Sequence, residues 1–221
     1  MGRAVALRLA QQGWRVAVLG QQLHTLKETA SLAEPGLILP ESCDVADAAA
    51  VAQVRDRLMS VWDGVDTLVN AAGTNIVRRA LANVSIEDFT RVMDVNLLGA
   101  FHVVHAFLPF MRGRERATIV NVVSDAGLIA NAKAGAGYVA SKFAMSGLIE
   151  AINIELRGEG IRGTAIYPGD IDTPFLDKRP VPPDAKARGA MLQADDVADC
   201  VMLAINLPHR AVLEKLVVRP R

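Results

Sequence analysis

The sequence predicts a doubly wound α/β fold, a parallel sheet with helices on both faces. Three observations predict it. Short runs rich in Val, Ile and Leu alternate with longer helical patterns along almost the whole chain. Those short runs are continuously apolar, as in strands covered on both faces. The 221 residues are 51% hydrophobic and 22% charged, a balance that supports a sizeable core and excludes wholesale disorder.

Taken in order, Arg3–Gln12 reads as a helix, Arg15–Leu19 (RVAVL) as a strand and Leu23–Ala33 as a helix. Leu37–Leu39 is a second strand, Ala46–Trp62 a helix and Thr67–Ala71 (TLVNA) a third strand. Ser85–Met111 is a long helical run interrupted near Asn96, a residue mildly unfavourable inside a helix. Thr118–Val123 (TIVNVV), Gly163–Tyr167 and Leu213–Val218 read as strands, separated by helices Tyr138–Arg157 and Asp195–Asn206. Thr173–Gly189 (TPFLDKRPVPPDAKARG) carries four prolines and no period. One strand-bearing segment follows it, too little for a second domain. The expectation is one domain over 1–221 with a mobile lid at about 173–190.

Charge and cysteine usage narrow the function. Twenty-four Lys plus Arg balance 24 Asp plus Glu, which leaves no basic footprint for nucleic acid and no attraction to an anionic membrane. No run of about 18 apolar residues is found to span a bilayer. The opening MGRAVALRLAQQGW carries Arg3 and Arg8 and no A-x-A cleavage site, so it does not read as a signal peptide. Cys43 and Cys200 lie in no CxxC motif, which points to a reducing compartment; a cytoplasmic location is expected. His102 and His105 stand i, i+3 without a Cys or carboxylate cluster, so no metal site is expected.

The chemistry-bearing string is Tyr138-Val-Ala-Ser-Lys142. A spacing of i, i+4 sets phenol and ammonium on one helix face. A free Tyr titrates near 10, and a neighbouring cation favours the phenolate; a shift of about three units is worth ~4 kcal/mol. Ser124 follows a strand, where such a sheet places its ligand crevice, and its hydroxyl can hydrogen-bond a carbonyl oxygen. Asn70-Ala-Ala-Gly73 ends another strand with small residues that permit close backbone approach. A local helix break at Asn96 would free its backbone carbonyl to hold a water. Tyr167-Pro168-Gly169 and Asp170-Ile171-Asp172-Thr173 close a further strand.

NAAG, Asn96, Ser124, YxxxK and PG-x-x-x-T, in this order and spacing, resemble the short-chain dehydrogenase/reductase family, and the resemblance spans Gly2 to Pro220. It implies a Rossmann-like fold, NAD(P) as cofactor and a small-molecule alcohol or carbonyl substrate. It implies that Tyr138 is the catalytic acid/base and that Lys142 lowers its pKa and holds the nicotinamide ribose. Ser124 would orient the carbonyl, and Asn96 would complete a water-linked proton relay. Asn70, Ala71 and Gly73 correspond to the segment against the adenosine-side ribose, and Asp44 with Val45 to the acid facing the adenine amino group. Pro168, Gly169, Ile171 and Thr173 correspond to the segment holding the carboxamide. Gly2 corresponds to the last glycine of the family's TGxxxGxG turn, at a helix N-terminus where pyrophosphate binds. In the family, helices equivalent to the regions around Val103–Phe110 and Leu148–Leu156 pair between subunits, so a homodimer or homotetramer is implied.

Two departures from the family pattern carry expectations. After the strand ending at Leu19 come Gly20, Gln21 and Gln22; with no carboxylate to repel a 2′-phosphate, the lean is to NADP. The family's opening strand and earlier glycines lie outside this sequence. Loss of a central strand would strand backbone groups at roughly 1–3 kcal/mol each, against a total stability of ~5–15 kcal/mol. The expectation is therefore a fragment or a start placed too late. The alternative is a truncated, catalytically silent homologue acting as a binding or oligomerisation partner. A nucleotide-sugar epimerase, which also uses YxxxK, is disfavoured because the segment after Gly169 is too short for a sugar-binding domain. Substrate selectivity is expected from Asp125–Gly137 and Pro174–Gly189, whose Phe175 and Leu176 beside Lys178 and Arg179 suit an apolar ketone or an anion.

Overall fold

The computed structural model describes residues 1–221. Helix α1 (Gly2–Gln11) leads into β1 (Val16–Gly20), α2 (Leu23–Ser31), β2 (Ile38–Ser42), α3 (Ala48–Met59) and β3 (Thr67–Asn70). Then come α4 (Ile86–Met93), a π-helical turn (Asp94–Leu98), α5 (Gly99–Phe107) and β4 (Thr118–Val122). Helix α6 (Ala136–Leu156), β5 (Arg162–Pro168), α7 (Ala185–Gly189), α8 (Ala194–Asn206) and β6 (Lys215–Val218) complete the chain. All pairings are parallel, in the order β3-β4-β5-β6, with β1-β2 beside them. This is the doubly wound, Rossmann-like architecture expected.

Because β4 and β5 are buried along their whole length, their alternate residues face opposite cores. Ile119, Ala165 and Tyr167 pack with Val51 and Val54 of α3, Val104 of α5 and Met145 and Ile149 of α6. Val120, Val122 and Ile166 face Val5 and Leu9 of α1 and Val197 and Val201 of α8. Between β1 and β3 the sheet is interrupted by a cleft of about 930 Å³, lined by Val16, Val18, Leu68 and Val69 and by Val5 and Leu9 of α1. The facing edges of β1 and β3 have no strand partner there.

Caps fix the helix starts. The Asp47 carboxylate accepts from Ala49 and Ala50 N–H at 2.9 and 3.1 Å to open α3. Ser85 accepts from Asp88 N–H at 3.1 Å to open α4, with Glu87 and Asp88 in its first turn. A reciprocal Gln193–Asp196 capping box opens α8.

Most boundaries lie within one or two residues of expectation, with three differences worth a reason. Helix α6 starts at Ala136, so Tyr138 sits inside its first turn; Gly135, at φ +81°, turns the chain into it. The 173–190 segment has its own structure: a 3₁₀ turn at Pro174–Lys178 and the five-residue α7. Arg188 pairs with Asp172 at 3.2 Å and with Asp177, and Arg179 pairs with Asp170. Elements this short carry no readable period. Finally, the continuous helical stretch Ile86–Phe110 is long and apolar enough to cross a membrane by length and composition, where the sequence showed no such run. The charged residues of its first turns mask it in a search for unbroken apolar residues; in the fold, Val104 and Phe107 join the core.

Candidate active site

The candidate residues gather at the C-terminal edge of β3, β4 and β5, where a doubly wound sheet exposes its loops to ligand. Asn70 ends β3 with its amide donated to Asn121 Oδ1 at 2.8 Å, a buried bond that locks β3 to β4. The chain then runs through Ala71 and Ala72 to Gly73. A Cβ at Gly73 would sit 3.5 Å from Asn96 Oδ1 and 3.8 Å from Lys142 Nζ, so the glycine leaves bare backbone facing both groups. The N-terminus of α1 comes to the same edge: a Cβ on Gly2 would meet Ala71 Cβ at 3.7 Å. A ten-residue helix aimed there offers free N–H groups and the positive end of its dipole.

Asn96 occupies the π-helical turn that interrupts the long helix, and it is fully buried. Its Oδ1 accepts from Thr74 N–H at 2.7 Å, and its Nδ2 donates to Thr74 O at 3.1 Å and Ser141 Oγ at 2.9 Å. Ser141 in turn donates to the Tyr138 carbonyl at 2.8 Å. One amide thus fastens the loop after β3 to the first turns of α6. Replacing Asn96 with Ala would leave both Thr74 backbone groups without a partner; a loss of about 3 kcal/mol in urea unfolding is the expected result.

Lys142 is 3% exposed, with its Nζ 5.5 Å from the centre of the Tyr138 ring. It donates to Val122 O at 3.2 Å and lies 3.4 Å from Met145 Sδ, with no carboxylate partner. Ser124 follows β4, accepting from Ala126 N–H at 3.2 Å and donating to Asp125 Oδ1 at 3.3 Å. The Tyr138 ring stands 6.0 Å from Phe175 of the 174–178 turn. Burial pushes the Tyr138 phenol up to about 12; the Ser124 hydroxyl pulls it down, Asp125 pushes it up, and Arg79 and Arg179 pull it down. Burial alone lowers Lys142 to about 7. In the polypeptide by itself burial is the first cause of both shifts, and the acidifying role that the resemblance implies for Lys142 belongs to the nucleotide-bound site. Desolvation disfavours the charged form of each group.

The remaining expected residues are more scattered. Gln21 is exposed beyond β1, and Cys43 N–H donates back to Gly20 O at 2.9 Å. Asp44 Oδ1 accepts from Ala46 N–H at 3.0 Å. The Val45 carbonyl lies 3.0 Å from the His102 ring, and a Cβ at Gly99 would be only 2.6 Å from Val45 Cγ2. At the end of β5, Gly169 N–H donates to Val218 O at 2.8 Å, where Pro168 pairs with Val218. Ile171 bridges to Leu192, and the Thr173 carbonyl accepts from Leu176 N–H at 3.0 Å.

Sequence reasoning missed Thr74, Ser141 and Arg79. Ser141 lies inside YVASK and was readable as a partner one turn from Tyr138; Thr74 acts through its backbone, and Arg79 sits in an aperiodic loop, where no signal marks it.

One edge of a doubly wound parallel sheet thus carries Ser124, Tyr138, Lys142 and Asn96. Residues 1–182 match the short chain dehydrogenase family, and the chain belongs to that family of oxidoreductases. Sulfoacetaldehyde reductase 2 of Chromohalobacter salexigens is 32% identical over 227 residues, covering 99% of this chain and 89% of that protein. D-beta-hydroxybutyrate dehydrogenase of Rhizobium meliloti is 28% identical over 207 residues, covering 92% and 78%. The closed form of serine dehydrogenase complexed with NADP+ superposes with a TM-score of 0.90 at 28% identity, covering 99% of this chain and 90% of that one.

Proposed function

We propose that this protein is an NAD(P)-dependent oxidoreductase interconverting a secondary alcohol and a ketone. The observation that carries it is the buried Lys142 ammonium beside the Tyr138 ring, opposite the bare backbone of Gly73 and without an acidic partner. The residues fit a dinucleotide: the α1 N-terminus at Gly2 suits a pyrophosphate, and the Lys142 Nζ, bonded only weakly, has donors left for ribose hydroxyls. Asp44 and Val45 would face the adenine, Gln21 the adenosine ribose, and Pro168, Gly169, Ile171 and Thr173 the carboxamide. NAD(P), when bound, supplies the hydride acceptor or donor.

The chain's own groups handle the proton. Ser124 Oγ holds the substrate oxygen and Tyr138 takes its proton in oxidation or gives one in reduction. Lys142 would donate to the ribose hydroxyls, and in its protonated form would favour the phenolate. Asn96 holds the loop and helix that position all three. We further propose one domain over 1–221 in a cytoplasmic homodimer or homotetramer, a lean to NADP, and residues 173–190 as a lid whose Phe175 covers Tyr138.

The test is binding followed by turnover. At a hundredfold excess over Kd, NADPH or NADH should stabilise the fold by about 2.7 kcal/mol, read as a thermal shift. Absorbance of the reduced nicotinamide then reports ketone reduction. A second reading, a catalytically silent binding or oligomerisation partner, is favoured by the cleft between β1 and β3. It predicts no shift with either nucleotide.

A further inference from the structure

Outside the Ser-Tyr-Lys-Asn set, the most unusual group near the site is Arg79. It is 6% exposed, and its Nε is buried with no hydrogen-bond partner. The rest of the guanidinium meets only backbone: it donates to the Lys178 carbonyl and, at 3.4 Å, to the Lys133 carbonyl. No carboxylate forms an ion pair with it, whereas two arginines of the 173–190 segment are paired: Arg179 with Asp170, and Arg188 with Asp172 and Asp177. Burying an unpaired cation is costly, whereas two carbonyls could be tethered by a neutral donor. A full positive charge kept there calls for an anion.

The position suits a substrate. Arg79 packs against the loop that launches α6: Ala136 N–H donates to its carbonyl at 3.3 Å, and a Cβ on Gly135 would fall 2.5 Å from Arg79 Cβ. Tyr138 lies two residues beyond Ala136. The other tether, Lys178, closes the 3₁₀ turn that sets Phe175 6.0 Å from the Tyr138 ring. The guanidinium is thus walled in by the two segments that bound the space over Tyr138. Burial lowers its pKa first, with Arg179 acting in the same direction and Tyr138 opposing, so the charge is felt at the phenol.

We propose that Arg79 is the anion anchor of the substrate site, holding the carboxylate of a small hydroxy- or oxo-acid whose reacting carbon lies at Tyr138. This rests on the oxidoreductase reading above and narrows it to an anionic substrate class. Nε–H is the free donor, and an incoming carboxylate can share the terminal nitrogens with the two carbonyls.

The experiment compares 2- and 3-hydroxybutyrate with their methyl esters, oxidised with NADP+ or NAD+, in the wild type, Arg79→Gln and Arg79→Lys. The expected result is a wild-type preference for the acid in kcat/KM. The ratio of acid to ester should fall roughly ten- to hundredfold in Arg79→Gln and less in Arg79→Lys, which keeps the charge but loses the forked donors. A purely structural tether would lower acid and ester together and leave the ratio unchanged; that result, or a wild-type preference for the esters, overturns the proposal. If the wild type oxidises none of the compounds and shows no thermal shift with NADPH or NADH, the oxidoreductase reading fails instead. The anchor is then read by thermal shift: the two acids should stabilise the wild type more than Arg79→Gln, and equal shifts overturn it.

Discussion

Tyr138→Phe is expected to lower kcat about a thousandfold while nucleotide affinity stays close to that of the wild type. Removing a positioned general acid costs typically 10²–10⁴ in rate. The substitution deletes one hydroxyl and keeps the ring that faces Phe175 and lies under Lys142. The fold should therefore survive, because the helix–loop ties run through the Tyr138 backbone carbonyl and Ser141, both of which remain. Stopped-flow absorbance at saturating nucleotide separates the two quantities. A turnover loss accompanied by an equal loss of binding would mean that the phenol holds the cofactor and does not move the proton.

The second large effect belongs to Lys142→Met, and it has a pH signature that the loss of activity alone lacks. In the folded chain burial brings Lys142 to about 7, against an ordinary value of 10.5. Between those values the unfolded chain carries one more proton than the folded chain, so stability rises as pH increases from about 7 to about 10.5. The full swing is on the order of 5 kcal/mol. Below about pH 7 both states hold the proton and the slope disappears. Tyr138, raised to about 12, works the other way: above about pH 10 the unfolded chain ionises first and stability falls. In Lys142→Met the rise across this window should vanish, turnover should be lost, and nucleotide should bind more weakly. Urea unfolding across pH 6 to about 10 measures the slope; an undiminished slope in the variant would assign it to another group.

The sequence made the frame legible because parallel strands buried on both faces read as unbroken apolar runs. TIVNVV and RVAVL need no partner information to be recognised. Tyr138 and Lys142 were legible because i, i+4 fixes their relation within one helix, and Ser124 because it ends a strand. Asn96 was found as an interruption, but its role as a clasp between Thr74 and Ser141 was not, since those partners are distant in sequence. The electrostatics were less legible: spacing shows a cation next to a phenol, whereas the sign of each shift in the chain alone depends on how deeply both are buried. Arg79 was silent because its meaning lies in what it lacks, and a missing counter-ion is a property of three-dimensional surroundings. The turns within 173–190 were hidden for a simpler reason, being too short to show a period.

The most direct measurement is an ultraviolet difference titration of tyrosine ionisation with and without saturating oxidised nucleotide. The chain has two tyrosines, Tyr138 and Tyr167, and subtracting the Tyr138→Phe variant isolates the first. Alone, Tyr138 should ionise near 12. With nucleotide in place, hydrogen bonds from Lys142 to the bound group would favour its charged form, and the midpoint should fall well below the ordinary value of about 10. An identical midpoint in both conditions would contradict the assignment of Tyr138 as the proton-transferring group.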